Sequence, residues 1–343
     1  MNSPNPRHRR ILVVGAGSIG SRHIRNLVEL GASVSVFRYR TLRVGDLEQM
    51  ARGLGVVETL EEGMENADGV VIANRTSEHL QVAMTAAERK VGFFVEKPLS
   101  HSLDGVETLV RQVDQAEIPV EVGLMMRFHP NLRELKRLLT TNEFGSPLFA
   151  RATVGQYLPD WRPGTDHRRS YSASRSEGGV TLDLIHEIDL MLWFFGQVND
   201  VAALTLSWEA LEIESESVAQ IAMQFQSGVI AQVHLDYVRP AYYRRIEVGC
   251  ERGVLEWDYN TGTLTAATKE QTEVIHRLEP GFQRNDMFLN HMRHFLRRIE
   301  DPSTEPAVPL AAGVHSLRVA LAARLSAESR HFLKPAQLEV AVP

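Results

Sequence analysis

The chain has a single cysteine among its 343 residues, Cys250, and this scarcity excludes several kinds of protein. One thiol cannot form an internal disulfide, and it cannot supply a zinc site built from several cysteines. A chain with so little cysteine is typical of a reducing compartment. We therefore expect a cytoplasmic protein whose stability owes nothing to disulfides.

Long apolar runs and an excess of positive charge are missing as well. The apolar run at residues 11–14 ends at a glycine, whereas a signal peptide needs about 7–15 apolar residues and a membrane helix about 18. The 37 Lys and Arg residues are outnumbered by 43 Asp and Glu residues, which gives a net charge of −6. We therefore expect no signal peptide, no membrane partner and no nucleic-acid partner.

The composition that remains is that of an ordinary globular protein, with 43% hydrophobic and 23% charged residues. At about 150 residues per domain, the length predicts two domains. We place the boundary at residue 128, between a dinucleotide-binding domain at 1–128 and a substrate and oligomerisation domain at 129–343.

The two parts of the chain differ in their hydrophobic pattern. In the first 125 residues, short apolar strands such as 11–14 and 69–73 alternate with amphipathic helices, which predicts a parallel sheet covered on both faces. After about residue 145, strand-like segments alternate with period two and are joined by tight turns. One helix at 179–195 interrupts them, and two more close the chain. The fold class is α/β, with an N-terminal Rossmann sheet and a C-terminal α+β domain that has an open, mostly antiparallel sheet.

A glycine-rich loop follows the first strand and opens the first helix. Residues 15–20 read Gly-Ala-Gly-Ser-Ile-Gly, the G-x-G-x-x-G pattern of dinucleotide-binding loops. The first glycine permits the turn, the second lets the backbone approach a pyrophosphate, and the third allows close packing of helix on strand. The predicted phosphate-binding residues are Gly15, Gly17, Ser18, Ile19 and Gly20.

The end of the second strand indicates which cofactor binds. NAD enzymes usually place an acid there for the ribose hydroxyls, but here Phe37 is followed by Arg38 and Arg40, and the next acid is Asp46. An arginine at this point pairs well with a 2′-phosphate. The cofactor is therefore NADP or NAD, with NADP favoured; the alternative is that these arginines are solvated loop charges.

Four ordered motifs identify a family resemblance. Residues 94–99 read Phe-Val-Glu-Lys-Pro-Leu at the end of the fifth strand, as in the Gfo/Idh/MocA oxidoreductases, the family of glucose–fructose oxidoreductase and inositol dehydrogenase. Residues 72–79 resemble the family's segment beside the nicotinamide ribose. Residues 127–130 resemble its Arg-Phe-x-Pro, and residues 178–189 its glycine-rich helix start with Asp and His.

The resemblance implies hydride transfer between a nicotinamide and a carbon that bears a hydroxyl, usually on a sugar or polyol. In the family the Glu-Lys-Pro lysine touches both substrate hydroxyl and nicotinamide, and the proline bond is often cis; these roles fall on Lys97 and Pro98. The open sheet often forms subunit contacts, which implies a homodimer or homotetramer. The further cofactor-binding residues are Arg38, Asn74, Thr76, His79, Glu96, Lys97 and Pro98.

The helix predicted at 180–195 is apolar around nearly its whole circumference, so its polar residues are exceptions. Asp183 and His186 stand three residues apart, as neighbours on one face of a helix. His186 is the best general acid/base because imidazole titrates near neutrality. Most family members space this pair four apart, so Asp183, Asp189 and Glu187 all remain candidates to partner the histidine. The predicted catalytic residues are Lys97, His186 and Asp183.

A loop before this helix is rich in aromatic and basic side chains between residues 157 and 171. Aromatic faces with arginine donors suit a sugar or a small anion, although an ordinary charged loop would look the same. The predicted substrate-binding residues are Lys97, Arg127, Tyr157, Trp161, Arg168, Asp183 and His186.

Together these features predict an NAD(P)-dependent oxidoreductase acting on a secondary hydroxyl or ketone of a sugar, sugar derivative or nucleotide sugar. We predict no metal, since His186 has no second histidine at ligand spacing. One alternative is a non-catalytic dinucleotide-binding sensor. Another is an enzyme that uses tightly bound NAD transiently, for epimerisation or glycoside cleavage.

Overall fold

A computed structural model describes residues 9–37, 54–162 and 164–338, and it divides the chain into two compact units. The first unit contains residues 9–37, 54–100, 105–125 and 283–311. The second contains residues 101–104, 126–162, 164–282 and 312–338. Each unit is therefore assembled from separate stretches of sequence, and residues 283–311 return to the first. The division of function at residue 128 stays a prediction.

The first unit is built on a parallel sheet of six strands in the order β3-β2-β1-β4-β5-β6. The order reverses at β1, which is the topology of dinucleotide-binding sheets and places the ligand at the carboxyl ends of the strands. Its elements are β1 Arg10–Val14, α1 Ser18–Glu29, β2 Ser33–Phe37, β3 Gly55–Val57, α2 Leu60–Glu65, β4 Gly69–Ile72, α3 Thr76–Glu88, β5 Gly92–Val95, α4 Val106–Ala116, β6 Val120–Val122 and α8 Arg284–Glu300.

Helix α8 completes the core of this unit although it lies far away in sequence. Met292 and Phe295 pack with Ile24 and Phe94 in one buried cluster. Close approach of the helix requires a small residue at the start of β5, since a Cβ at Gly92 would lie 2.5 Å from the side chain of Ile299. The return of the chain to the first unit therefore depends on packing that no local pattern reveals.

The second unit is built on an eight-stranded sheet in the order β14-β13-β12-β11-β7-β10-β9-β8. All neighbouring strands are antiparallel except β7 and β10, which are parallel. Its elements are most of a 3₁₀ turn at Met125–Phe128, then α5 Pro130–Thr140, β7 Pro147–Tyr157, α6 Val180–Asp183, α7 His186–Phe195, β8 Val198–Leu206, β9 Val218–Phe225, β10 Ile230–Asp236, β11 Val238–Cys250, β12 Gly253–Asp258, β13 Thr263–Ala267, β14 Thr272–Arg277 and most of α9 Leu310–Ser329.

Side chains of this sheet alternate between a buried and an exposed face. Along β10, Ala231, Val233 and Leu235 are buried, while Ile230 is 58% exposed and alternates with them on the other face. The predicted fold class is confirmed, with a parallel Rossmann sheet followed by an open, mostly antiparallel one. In the part of the chain that the structure describes, no helix combines the length and apolar character needed to cross a membrane.

The continuous helix predicted at 180–195 is wrong. It is two helices, α6 and α7, separated by a turn at Leu184 and Ile185, where Leu184 has φ −99° and ψ 28°. Asp183 and His186 therefore do not share one helix face. The interruption is set by tertiary contacts, because Asp183 before the turn bonds to Tyr237, between β10 and β11, and Glu187 after it bonds to Arg244 on β11. Sequence analysis also missed α5, β13 and β14.

Glu121, on the edge strand β6, is completely buried. It binds residues of the 283–311 stretch, in which the chain returns to the first unit. It accepts hydrogen bonds from His291 at 3.2 Å and from the backbone N–H groups of Ala307 and Val308 at 3.0 and 2.9 Å. Burial opposes ionisation, but these donors and His294 outweigh it and lower the pKa of Glu121 to about 2. The carboxylate therefore stabilises the fold once it is ionised.

We expect Glu121→Gln to destabilise the protein by about 3 kcal/mol at neutral pH, since a shift from 4.5 to about 2 corresponds to 1.36 kcal/mol per unit. This stabilisation is present above the unfolded pKa of 4.5 and is lost as the pH falls towards 2. Urea unfolding between pH 7 and pH 2.5 measures it, and the variant should lose less stability than the wild type on acidification. Glu88→Gln, on an exposed position of α3, is the control. Equal stability of Glu121→Gln and wild type at pH 7 would contradict the assignment.

Candidate functional site

The glycine-rich loop joins β1 to α1, and its three glycines meet different constraints. Gly15 has φ +92°, and a Cβ there would lie 2.7 Å from backbone atoms of Asn74. A Cβ on Gly20 would lie 2.0 Å from the carbonyl oxygen of Gly15, so α1 approaches the loop too closely for a side chain. Beside Gly17, no atom of the described residues lies within 4 Å of the Cβ position. The loop is therefore packed at its ends and open at its middle.

The N-terminus of α1 faces this opening. Gly17 and Ser18 are exposed, Ile19 is partly buried, and the first turn of the helix contains no acidic residue and no side-chain cap. The unsatisfied N–H groups and the helix dipole at such an end favour an anion. The residues present therefore fit the pyrophosphate of a dinucleotide. Arg38, on which the predicted cofactor preference depends, lies outside the described residues.

The carboxyl end of β4 leads into α3 through Asn74. The side-chain amide of Asn74 donates to Glu78 at 3.2 Å. Thr76 is buried in the first turn of α3, and His79 is 2% exposed. The ring of His79 lies with Nδ1 2.9 Å from the carbonyl oxygen of Pro98 and Nε2 3.3 Å from that of Asn74. His79, predicted to bind the cofactor, thus links the ends of β4 and β5.

The Glu-Lys-Pro segment follows β5, and its three residues have different surroundings. Glu96 is buried, with one oxygen 2.7 Å from Nε2 of His23 on α1 and the other accepting the backbone N–H of Lys97 at 3.1 Å. Burial alone would raise the pKa of Glu96, but the hydrogen bond and charge of His23 outweigh it, so that pKa lies below its ordinary value. The Lys97–Pro98 peptide is cis. Lys97 itself is half-buried at the carboxyl edge of the sheet.

In the second unit, Asp183 ends α6 in a phenolic environment. Its carboxylate accepts a hydrogen bond from the hydroxyl of Tyr237 at 2.6 Å, and both residues are buried. Burial and the charge of Asp183 raise the pKa of Tyr237 and of Tyr171, so both phenols stay protonated and able to donate. Trp161 stands edge-on to Tyr237, with ring centroids 5.2 Å apart.

His186 begins α7 and is 8% exposed. Of the carboxylates considered as its partner, Glu187 bonds to Arg244 at 2.5 Å, and Asp189 is held by Arg127 at 2.9 and 2.6 Å. Glu187 and Asp189 are therefore each paired with an arginine, and the guanidinium of Arg127 is occupied by its hydrogen bonds to Asp189.

The predicted substrate loop is divided between buried and exposed residues. Tyr157 is half-buried at the end of β7. Arg168, whose side chain is half exposed, bonds to Asp166 at 2.9 Å and to Glu212. Tyr157 and Trp161 are thus partly buried within the second unit, while Arg168 lies in a network of surface charges.

Sequence analysis missed two residues that support this region. Tyr237 follows β10, and the alternation of Val233 and Leu235 would have placed it on the buried face. Glu216 accepts the backbone N–H of Thr181 at 3.2 Å at the start of α6 and is held by Arg324 at 2.8 Å. No local pattern indicates Glu216, because its partners are distant in sequence.

A phosphate loop at the switch point of a parallel sheet, with a lysine at the same sheet's carboxyl edge, defines a dinucleotide-binding oxidoreductase. Residues 9–124 match the model of an oxidoreductase family with an NAD-binding Rossmann fold, and residues 132–256 match the GFO/IDH/MocA C-terminal domain. The chain belongs to the Gfo/Idh/MocA family. The predicted family and oxidoreductase activity are confirmed, as is a nicotinamide dinucleotide as the cofactor class.

Similar proteins cover nearly the whole chain. The myo-inositol 2-dehydrogenase of Thermotoga maritima is 27% identical over 95% of this chain and 98% of its own length. The UDP-N-acetylglucosamine 3-dehydrogenase of Acidithiobacillus ferrooxidans is 24% identical over 75% of this chain and 76% of its own. The structure of scyllo-inositol dehydrogenase from Lactobacillus casei, with bound NAD(H) and scyllo-inositol, shares the fold with TM-score 0.81 and 20% identity, over 96% of this chain and 100% of that one.

Proposed function

We propose that the protein transfers a hydride between a nicotinamide and a secondary hydroxyl or ketone of a sugar, polyol or nucleotide sugar. The observation that carries the proposal is Lys97, half-buried at the carboxyl edge of the Rossmann sheet, with its backbone N–H fixed by Glu96 and the adjacent Pro98 carbonyl fixed by His79. Similarity to the inositol and UDP-sugar dehydrogenases supports the substrate class.

The proposed chemistry divides between a hydride and a proton. The nicotinamide, when bound, exchanges the hydride with the carbinol carbon. Lys97 donates a hydrogen bond to the substrate oxygen and orients it, and His186 takes or returns the proton. Asp183, held by Tyr237, accepts a hydrogen bond from a second hydroxyl and fixes the ring of the substrate. Tyr157, Trp161 and Arg168 remain predicted substrate residues. Arg127 was predicted with them, but its paired hydrogen bonds to Asp189 favour a positioning role.

Cofactor binding followed by a turnover screen tests the function. NADH and NADPH fluorescence measures binding, and the screen covers inositols, aldoses and UDP-sugars in both directions. Oxidation of at least one polyol or sugar, lost in Lys97→Met, supports the proposal. Tight binding with no turnover of any member would favour a sensor, and protein that purifies with its cofactor attached would favour transient use of NAD.

We also propose that NADPH binds more tightly than NADH. Arg38 directly follows β2, at the position where NAD enzymes usually have an acid. An acid there would repel the 2′-phosphate of NADPH, whereas an arginine pairs with it. A charged hydrogen bond is worth about 1.5–3 kcal/mol, so Arg38→Ala should weaken NADPH binding by about tenfold or more and leave NADH binding nearly unchanged. Fluorescence titration measures both dissociation constants. Arg89→Ala, an exposed residue at the C-terminal end of α3, is the control. Equal constants for the two cofactors in the wild type would contradict the preference.

The protein is further proposed to act in the cytoplasm as a homodimer or homotetramer through the second sheet. Large apolar side chains on the exposed face of that sheet support the oligomer, with Ile230 58% and Phe149 37% exposed. Covering such side chains on association is favourable.

A further inference from the structure

The first turn of α7 carries His186 but is not continuous with α6. Its N-cap, Ile185, supplies no side-chain hydrogen bond to the helix end. A helix of ten residues gains little stability from its own hydrogen bonds, so its position depends on contacts with the rest of the unit. The two acids of this turn, Glu187 and Asp189, provide them.

Asp189 is fully buried and is held by a bidentate arginine. Nε and Nη2 of Arg127 donate to its two oxygens at 2.9 and 2.6 Å, and the hydroxyl of Ser316 donates at 3.1 Å. The Arg127 side chain is 10% exposed, and its guanidinium also lies 5.7 Å from the ring centre of Trp193. This paired arrangement fixes the direction of the carboxylate as well as its distance.

Glu187 is held from a different element. Nε of Arg244, on β11, donates to it at 2.5 Å, and both residues are almost wholly buried. Burial opposes the charge of Arg244, but Glu187 and Tyr242 outweigh it and raise the pKa of the guanidinium. The turn that contains His186 is thus tied at its second and fourth residues to two arginines from separate parts of the unit.

We propose that Arg127 and Arg244 are positioning residues that hold His186 for proton transfer, and that Arg127 does not bind the substrate. The proposal rests on the function proposed above, in which His186 moves the proton. Misplacing a catalytic group by about 1 Å can reduce the rate by about a hundredfold. Two paired guanidiniums fix the turn and also balance the charge of the two acids beside the histidine.

Matched variants of one ion pair test the role of Arg127. We expect Arg127→Gln and Asp189→Asn each to lower kcat by about 10- to 100-fold with KM changed less than about threefold. The double variant should be no worse than the single ones, because both remove the same interaction. Arg127→Lys, which keeps the charge without the bidentate fork, should recover part of kcat. Arg245→Gln, a half-exposed neighbour of Arg244, is the control and should leave kcat unchanged.

A direct contact between Arg127 and substrate gives the opposite result. Arg127→Gln would then raise KM strongly, whereas Asp189→Asn, which leaves the guanidinium in place, would not. That outcome overturns the proposal.

Amide hydrogen exchange at residues 186–190 supplies a readout that does not depend on turnover. Faster exchange in Arg127→Lys and Asp189→Asn, with the rest of the second unit unchanged, supports the anchoring. Unchanged exchange in both overturns it. If the wild type turns over no sugar or polyol while exchange still responds, the proposed function fails and the anchoring of α7 stands.

Discussion

Replacing Lys97 by methionine is expected to reduce turnover by about 10²–10⁴-fold while cofactor binding stays near the wild-type level. The contacts of Glu96, His79 and Pro98 fix the backbone on both sides of Lys97, and none of them requires its side-chain nitrogen. Methionine keeps most of the length and apolar volume of the lysine stem but cannot donate a hydrogen bond. The variant therefore removes the donor to the substrate oxygen, together with a positive charge that helps to lower the pKa of Glu96.

Steady-state kinetics on the substrate found in the screen, together with NADPH fluorescence titration, measures both effects. Lys269→Met, on an exposed loop between β13 and β14, is the matched control and should behave as the wild type. Near-normal turnover by Lys97→Met would remove this residue from the mechanism. Loss of cofactor binding together with turnover would instead assign Lys97 to the cofactor site.

The Rossmann unit was predictable because its signals are local. Gly15 and Gly20 are required by contacts within one loop and its neighbouring strand, and buried parallel strands have continuous apolar sequences. The motif residues that follow β4 and β5 belong to the carboxyl ends of neighbouring parallel strands, so a topological rule was enough to place them at one edge of the sheet.

The hydrogen-bond partners that hold the predicted site residues could not be predicted in the same way. His23 reaches Glu96 across 73 residues, and Tyr237 reaches Asp183 across 54. Such pairs leave no periodic signal, since each partner satisfies a buried polar group whose neighbours are decided by the tertiary fold. The break between α6 and α7 was hidden for a related reason. A segment that is apolar all round looks like one buried helix, and only the separate anchors of Asp183 and Glu187 divide it.

His186→Gln is expected to lower kcat/KM by about 10²–10⁴-fold and to remove one limb of the pH–rate profile. Glutamine keeps hydrogen-bonding groups at this first position of α7 but has no group that titrates, so binding and folding should persist while proton transfer does not. The profile of kcat/KM from pH 5 to 10, with hydride transfer followed by NADPH absorbance, measures the change.

The shape of that profile separates the roles of the two proposed catalytic residues. A residue that only orients the substrate lowers the whole profile, whereas the group that moves the proton also fixes where one limb falls. His234→Gln, half-buried on the exposed face of β10 and bonded to Asp236 at 2.9 Å, is the control and should keep both limbs. If His186→Gln keeps both limbs at reduced height, His186 orients the substrate and the proton passes through another group. Since Glu187 and Asp189 are both bound to arginines, Asp183 with its Tyr237 partner would then be the residue to test next.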